Sequence, residues 1–243
     1  MRNLSFALVD AESFDAIPDP AQPGARCQTC DYWERLDGTR ASDEAPEPRM
    51  ALKRSRLLAG AKLAGAYAML AHRDGTAVGY AQFGPMSVYP RAQSIRERYP
   101  QLPDSPAPWV VTCLQVVDTL GGDRLSVGTA LLDALRKELD RRGIGAVEAY
   151  PEVGADSWLA SPGPPSIYVA AGFELVAGDE RYPVYRRELS EGAEVGWADL
   201  LERTQPVADE DDAWPLPLPR RASEDDLFRL PEKPKRTNPF GED

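Results

Sequence analysis

The most reactive side chains in the sequence belong to three cysteines and one histidine. Cys27 and Cys30 form a C-x-x-C pair, a spacing used by structural zinc sites and by redox-active dithiols. A zinc ribbon needs a second such pair, whereas only Cys113 and His72 remain here as further ligands. Metal, redox and packing roles all stay open for this pair. We expect packing or the lining of a substrate pocket, and no metal site.

A second chemical feature is a short run of residues just before a helix with apolar periodicity. The run consists of Arg124, Leu125, Ser126, Val127, Gly128 and Thr129. The first N–H groups of a helix have no intrahelical acceptor, and with the helix dipole they suit the phosphate groups of a ligand. Gly128 would allow close backbone approach, although a glycine there can also be a plain start to the helix.

The apolar pattern predicts the elements that position these residues. Residues 109–117 form a nearly continuous apolar run, as expected for a buried central strand. The helix after it is amphipathic and ends at Gly143, with its buried side marked by Leu131, Leu132, Leu135 and Leu139. Another strand at 145–150 and a short helix at 166–171 follow, so we predict a strand-helix-strand core.

The first half of the chain is less regular. Apolar runs at 66–71 and 77–83 flank Asp74 and Gly75, a pair that favours a two-residue hairpin turn. Residues 27–34 are predicted to be extended. The long connection 85–108 contains several prolines and is typical of a binding loop.

Length and charge narrow the function classes. The chain has 243 residues and a formal net charge of −11, which disfavours nucleic acid as a partner because phosphate binding needs a basic face. No apolar run is long enough for a transmembrane helix, and the N-terminal residues do not have the pattern of a signal peptide. We therefore expect a cytoplasmic protein without a membrane partner.

The composition changes after residue 189. Acidic residues outnumber basic ones by 14 to 7 in 190–243, and prolines recur. Such a composition buries too little apolar surface to offset the entropy of ordering. We predict a folded domain at 1–189 and a largely disordered tail at 190–243, in which Trp214 and Phe228 either bind a partner or remain solvated.

Four motifs together resemble the GNAT superfamily of acyl-CoA N-acyltransferases over residues 4–189. They are GTAVGYAQFGP, CLQVV with the downstream GTALLDALRKELDRRG, AVEAYPE, and SIYVAAGF. CQTCDYWE, GYAQFGP and TCLQV also resemble a bacterial subgroup of that superfamily. The resemblance implies an α/β (α+β) fold, with a mixed, mostly antiparallel sheet, a central pair of splayed parallel strands and flanking helices.

The resemblance also implies a cosubstrate, acetyl-CoA, whose pantetheine arm lies between the two splayed strands. Its backbone partners would be Leu114, Gln115, Val116 and Val117, and its diphosphate would lie on residues 124–129. The sequence departs from the family motif at Ser126, where a glycine is usual. It departs again at Asp123, where a basic residue is common, unless Arg124 takes over that role.

The resemblance implies Tyr168 as the general acid, because it lies four residues before Gly172, where many GNAT proteins have a tyrosine that protonates the departing thiolate. A phenol with an ordinary pKa of ~10 is protonated at neutral pH and can act as an acid. The general base is less defined. Glu148 is our first candidate, and Glu34 and Glu152 are alternatives.

These expectations add up to transfer of an acetyl group from acetyl-CoA to the amine of a small molecule or of a protein. A homodimer and a protein partner for the tail are compatible with the sequence. The alternative function is a catalytically weak interaction or regulatory module on the same fold, with a partner-binding tail. The departures at Asp123 and Ser126 favour that alternative.

Overall fold

Seven strands form one sheet in the computed structural model, which describes residues 4–20, 25–36, 46–63, 67–153, 161–178 and 181–189. They are β1 (Leu4–Leu8), β2 (Tyr67–Arg73), β3 (Thr76–Pro85), β4 (Pro108–Val116), β5 (Ala146–Ala149), β6 (Glu174–Ala177) and β7 (Val184–Glu188). Their order across the sheet is β1-β2-β3-β4-β5-β7-β6. Within this described sheet, β4 and β5 run parallel and every other neighbouring pair is antiparallel.

Helices cover both faces of the sheet. They are α1 (Pro46–Leu63), α2 (Pro90–Arg96), α3 (Arg124–Arg141) and α4 (Pro165–Ala170). One face packs against α3 and α4, and the other packs against α1, α2 and the segments that precede α1. The four predicted leucines of α3 are buried, and each contributes roughly 1.5–3 kcal/mol by its burial. The predicted fold class is confirmed.

The hairpin between β2 and β3 turns at the predicted pair. Asp74 and Gly75 have positive φ angles of 51° and 81°, which match the backbone twist of antiparallel strands joined by two residues. Asp74 tolerates this conformation better than most residues, and Gly75 has no Cβ to resist it. The turn fixes the register of β2 against β3.

Three local predictions need correction. Residues 27–34 are not an extended segment, because Cys27–Thr29 form a 3₁₀ turn and Lys53 Nζ of α1 donates to the carbonyl of Cys30 at 2.8 Å. The long connection 85–108 contains α2, with Pro90 at its first turn. Helix α3 begins at Arg124, after a 3₁₀ helix at Asp118–Asp123, so residues 124–129 lie within the helix and not before it. Tertiary contacts and helix continuity, rather than local composition, decided all three.

The predicted tail at 190–243 lies outside the described residues, so the domain boundary near 189 stays a prediction. Within the described ranges, no helix is both long and apolar enough to cross a membrane.

Candidate active site

The central parallel strands separate partway along their length. Parallel pairing joins Pro108–Val111 to Ala146–Ala149, and β5 ends there while β4 continues to Val116. A β-bulge marks the point of separation, because Gln82 of β3 pairs with Cys113 and Phe83 pairs with Val111, leaving Thr112 as the extra residue. We call the gap beside residues 112–116 of β4 the wedge.

The backbone of β4 in the wedge points alternately to β3 and to the open edge. The Thr112 carbonyl faces the open edge, where it accepts a hydrogen bond from Ser161 Oγ at 2.6 Å. The Leu114 carbonyl faces the same way, 3.0 Å from where a Cβ on Gly163 would lie. The N–H of Val117, by contrast, donates to Val78 of β3 at 3.0 Å.

This alternation divides the four residues predicted to bind the pantetheine arm. Leu114 and, by alternation, Val116 present backbone groups to the open edge. Gln115 and Val117 direct theirs toward β3. That this segment binds the arm stays a prediction, and the pairing with β3 determines which of its residues can present backbone groups to a ligand.

A segment that the sequence analysis did not single out lies on the open edge. Ser161 Oγ contacts β4 through Thr112, accepts a hydrogen bond from the indole N–H of Trp33 at 3.2 Å, and lies 3.3 Å from Cys113 Sγ. Gly163, with a φ of 88°, packs on the Leu114 carbonyl. The Pro and Gly residues of this segment predict a tight turn. No local sequence pattern, however, predicts that the turn packs against β4.

The start of α3 lies beyond the C-terminal end of β4. The N–H of Arg124 already donates to the Gly121 carbonyl, and the amides of Gly128 and Thr129 fall after the first turn, where intrahelical acceptors exist. Leu125 and Ser126 are therefore the predicted residues whose amides can reach a ligand, and both are exposed.

Gly128 is small for a packing reason. A Cβ at this buried position would lie 2.9 Å from Cδ1 of Ile167 in α4, so the glycine allows α3 to approach α4. The side chain of Thr129 is engaged within α3, because its hydroxyl donates to the Leu125 carbonyl at 2.9 Å. These contacts give both residues a structural role, and their binding of the diphosphate stays a prediction against which this geometry argues.

The acidic residue at the start of α3 is partly neutralised. Asp123 Oδ2 forms an ion pair with Arg73 Nη1 at 3.0 Å. Gly121 has a φ of 50°, and a Cβ added to it or to Gly122 would meet no atom of the described residues within 4 Å. The turn before α3 therefore has open space around it, as a diphosphate requires.

Tyr168 is fully buried in α4 and packs edge-on against Phe173, with ring centroids 5.2 Å apart. Its hydroxyl donates to the Pro162 carbonyl at 2.7 Å, one residue before the glycine that contacts Leu114. Burial raises the pKa of Tyr168 well above the usual value, so the phenol is protonated. The predicted acid therefore lies beside the wedge with its proton engaged by the segment on the open edge.

Glu148 lies in β5 and is fully buried. Its oxygens accept hydrogen bonds from Arg186 Nη1 at 2.7 Å, Arg96 Nε at 3.2 Å and Tyr150 Oη at 2.5 Å. Two guanidinium groups and a phenol around one carboxylate favour a structural role. Its assignment as the general base stays a prediction against which this geometry argues.

The two alternative carboxylates are also paired with cations. Glu34 Oε1 accepts from Lys53 Nζ and from Gln82 Nε2, each at 2.9 Å. Burial opposes ionisation of Glu34, but Lys53 and Gln82 outweigh it, so the pKa of Glu34 is lowered. Glu152 Oε1 forms an ion pair with Arg181 Nε at 2.9 Å near the surface.

The three cysteines converge on the face covered by α1 and α2, and none forms a disulfide. Burial raises the pKa of Cys113 to about 12 and raises that of Cys27 well above its usual value. Both thiols are therefore protonated and behave as packing groups. Across the described ranges, no group of three or more His, Cys, Asp or Glu side chains is arranged to hold a metal ion.

Comparison with known proteins yields structural similarity at low sequence identity. No family model matches the chain, and no curated protein matches it. Solved structures that resemble it include a GNAT-family acetyltransferase from Desulfovibrio desulfuricans, with 17% identity, a TM-score of 0.47, and coverage of 77% of this chain and 100% of that one.

Two further similar structures are named for acetyl transfer. The PaiA N-acetyltransferase from Thermoplasma acidophilum, solved with coenzyme A, has 13% identity and a TM-score of 0.43, covering 76% of this chain and 99% of that one. The ribosomal-protein-S18-alanine N-acetyltransferase from Escherichia coli has 12% identity and a TM-score of 0.41, covering 77% and 95%.

Proposed function

We propose that this chain is an N-acetyltransferase that moves an acetyl group from acetyl-CoA to an amine, as its resemblance to the GNAT superfamily implies. The observation that carries the proposal is the wedge. Pairing of β4 with β5 stops at Val111, and β4 runs on to Val116 with backbone groups on its open edge. An extended chain containing amides, such as pantetheine, can pair with that edge as an added strand would.

The surroundings of the wedge fit acetyl-CoA, which supplies the acetyl group as an activated thioester. Leu114 and Val116 present backbone groups along the arm, and the first turn of α3 presents the amides of Leu125 and Ser126 toward the diphosphate end. Ser161 and Gly163 contact the same edge of β4. The cosubstrate must therefore replace those contacts when it binds.

Tyr168 is the proton donor in this proposal. Its hydroxyl is bonded to Pro162, so moving the 161–163 segment away from β4 releases the phenol toward the wedge. The proton then passes from Tyr168 to the departing sulfur. Glu34, Glu148 and Glu152 each pair with a basic side chain, so the amine gives its proton to water, which carries it to bulk solvent. The amine nitrogen then bonds the thioester carbonyl carbon as the C–S bond breaks.

A second candidate function is a regulatory module on this fold with weak or no catalysis. Two observations favour it, namely the 161–163 segment lying on the cosubstrate edge and the acidic Asp123 at the start of α3.

Calorimetric titration of the full chain with acetyl-CoA separates the two functions. Binding in the micromolar range, followed by CoA release in a screen of amine acceptors, supports the enzyme. Absence of binding up to high micromolar concentration supports the module instead.

A further inference from the structure

The direction from which an acceptor amine reaches the wedge follows from the packing. Helices α3 and α4 cover one face of the sheet beside the wedge. On the other face, Trp33 reaches the point of strand separation, because its indole N–H bonds Ser161 and Ser161 bonds Thr112. Trp33 itself is only 1% exposed, so an acceptor that meets the thioester from this face, as the proposed function requires, enters through the space that the 161–163 segment vacates when the cosubstrate displaces it.

A group of aromatic and cationic side chains adjoins Trp33. The Tyr32 ring packs edge-on against it, with centroids 5.6 Å apart. The Arg91 guanidinium lies 4.1 Å from the Tyr32 ring centroid, and the Arg91 backbone N–H donates to the Trp33 carbonyl at 3.3 Å. Arg91 Nη2 also donates to the hydroxyls of Tyr32 at 2.5 Å and Tyr182 at 3.0 Å.

Two more arginines surround Tyr182. The guanidinium carbons of Arg98 and Arg181 lie 6.0 Å and 5.1 Å from its ring centroid. Glu152 pairs with Arg181. Neither Arg91 nor Arg98, however, forms an ion pair with a carboxylate in the part of the chain that the structure describes. This arginine–tyrosine cluster (Tyr32, Arg91, Arg98, Arg181 and Tyr182) is therefore locally positive, although the whole chain is acidic.

One donor in the cluster has no acceptor. Arg91 Nε is buried, and no described residue accepts its hydrogen. A buried N–H without an acceptor costs roughly 1–3 kcal/mol. Arg98 and Arg181 are exposed, so their guanidinium groups are the ones that a ligand oxygen can reach directly. The planar guanidinium matches carboxylate and phosphate groups, which accept two hydrogen bonds side by side.

We propose that the arginine–tyrosine cluster binds an acidic group of the acceptor. On the basis of the proposed acetyltransferase function, the substrate is then a small amine that also carries a carboxylate or a phosphate. Trp33 and Tyr32 lie between the acidic group and the wedge, so the amine extends from the cluster toward Thr112.

Matched acceptor pairs test this proposal on the full chain saturated with acetyl-CoA. 6-Aminohexanoate is compared with 6-aminohexanamide, and 6-aminohexyl phosphate with 6-aminohexanol, by the rate of CoA release, because the acceptor must span Tyr32 and Trp33. We expect kcat/KM to be at least about tenfold higher for the acidic member of one pair, which also distinguishes carboxylate from phosphate. Equal values within both pairs would overturn the proposal.

Variants then locate the selectivity. Arg98→Gln and Arg91→Lys should each lower, about tenfold, the ratio of kcat/KM for the preferred acidic acceptor to kcat/KM for its neutral partner. Arg141→Gln, an exposed arginine at the end of α3, is the matched control and should leave this ratio unchanged. An equal loss for acidic and neutral acceptors in Arg98→Gln would contradict the assignment.

A binding measurement separates failure of this inference from failure of the proposed function. The melting temperature is recorded without acetyl-CoA and with each member of the two pairs. A rise with an acidic member that disappears in Arg98→Gln supports the anion site whether or not acetyl-CoA binds. No difference within either pair argues against the site even if calorimetry shows acetyl-CoA binding.

Discussion

At the scale of single residues, Tyr168 packs in the core and is also the proposed proton donor. Its ring lies between Phe173 and Tyr185, while its hydroxyl reaches the segment that covers the open edge of β4. Because burial raises its pKa, the phenol holds its proton more firmly than an ordinary tyrosine does. A thiolate, whose thiol has an ordinary pKa of about 8.5, is a weaker base than this phenolate, so the acid role requires that movement of the 161–163 segment exposes Tyr168 and lowers its pKa.

We expect Tyr168→Phe to lower the rate of thioester cleavage by about one to three orders of magnitude, the size of general-acid effects. Tyr89→Phe is the matched control, since Tyr89 is also a buried tyrosine whose hydroxyl donates to a backbone carbonyl, that of Phe83. Both variants should lose about 1 kcal/mol of stability. Equal turnover in the two variants would remove Tyr168 from the mechanism.

The ion pair of Lys53 and Glu34 is a second residue-scale feature, because both side chains are almost completely buried. Lys53→Met leaves Glu34 as a buried charge without its cation, and we expect a loss of about 3–5 kcal/mol in the free energy of unfolding at neutral pH. Adding Glu34→Gln should restore most of this loss. A double variant no more stable than Lys53→Met would contradict this account.

The pH dependence of this pair has a defined sign. The pKa of Glu34 is lowered from 4.5, so its contribution is complete above that value and is lost as the pH falls through the lowered pKa. The pKa of Lys53 is raised from 10.5, since Glu34 outweighs the opposing effect of burial, so its contribution is lost only at higher pH. Urea unfolding of the wild type and Lys53→Met should therefore differ most between these values and converge in acid.

At the scale of elements, the contact between the 161–163 segment and β4 bears most directly on cosubstrate binding. If the pantetheine arm pairs with β4, it competes with the bond from Ser161 to Thr112. We expect Ser161→Ala to tighten CoA binding about threefold to tenfold in calorimetry, because a net hydrogen bond contributes about 1 kcal/mol. Ser94→Ala, at an exposed position of α2, should leave the affinity unchanged. Weaker binding in Ser161→Ala would mean that Ser161 holds the cosubstrate instead of competing with it.

At the scale of the whole molecule, charge is unevenly distributed along the chain. The net charge of −11 owes much to residues 190–243, where acidic residues outnumber basic ones by 14 to 7. The arginine–tyrosine cluster is positive within the domain. Net charge by itself favours a cationic or neutral acceptor. The field of the cluster, which acts within the Debye length of about 8–10 Å, favours an acidic one.

We expect deletion of 206–243 to leave the melting temperature within about 2 °C of the full chain, because a segment that buries little apolar surface contributes little to the unfolding enthalpy. The measurement is thermal unfolding of both chains at equal concentration. A drop well beyond that range would show that the tail packs on the domain.

The sequence by itself determined the elements whose information is local. The turn at Asp74 and Gly75, the apolar run of β4 and the leucine stripe of α3 are set by backbone preference and by periodicity, which neighbouring residues carry. Tyr168 was singled out by resemblance, and its role as the acid stays a prediction. The structure alone decided which backbone groups of β4 face the open edge, since that depends on pairing with β3 and on the bulge at Thr112. It also decided that Glu148 is enclosed by arginines and that Ser161 and Arg91 meet Trp33, because these contacts join residues far apart in the chain and no local pattern encodes them.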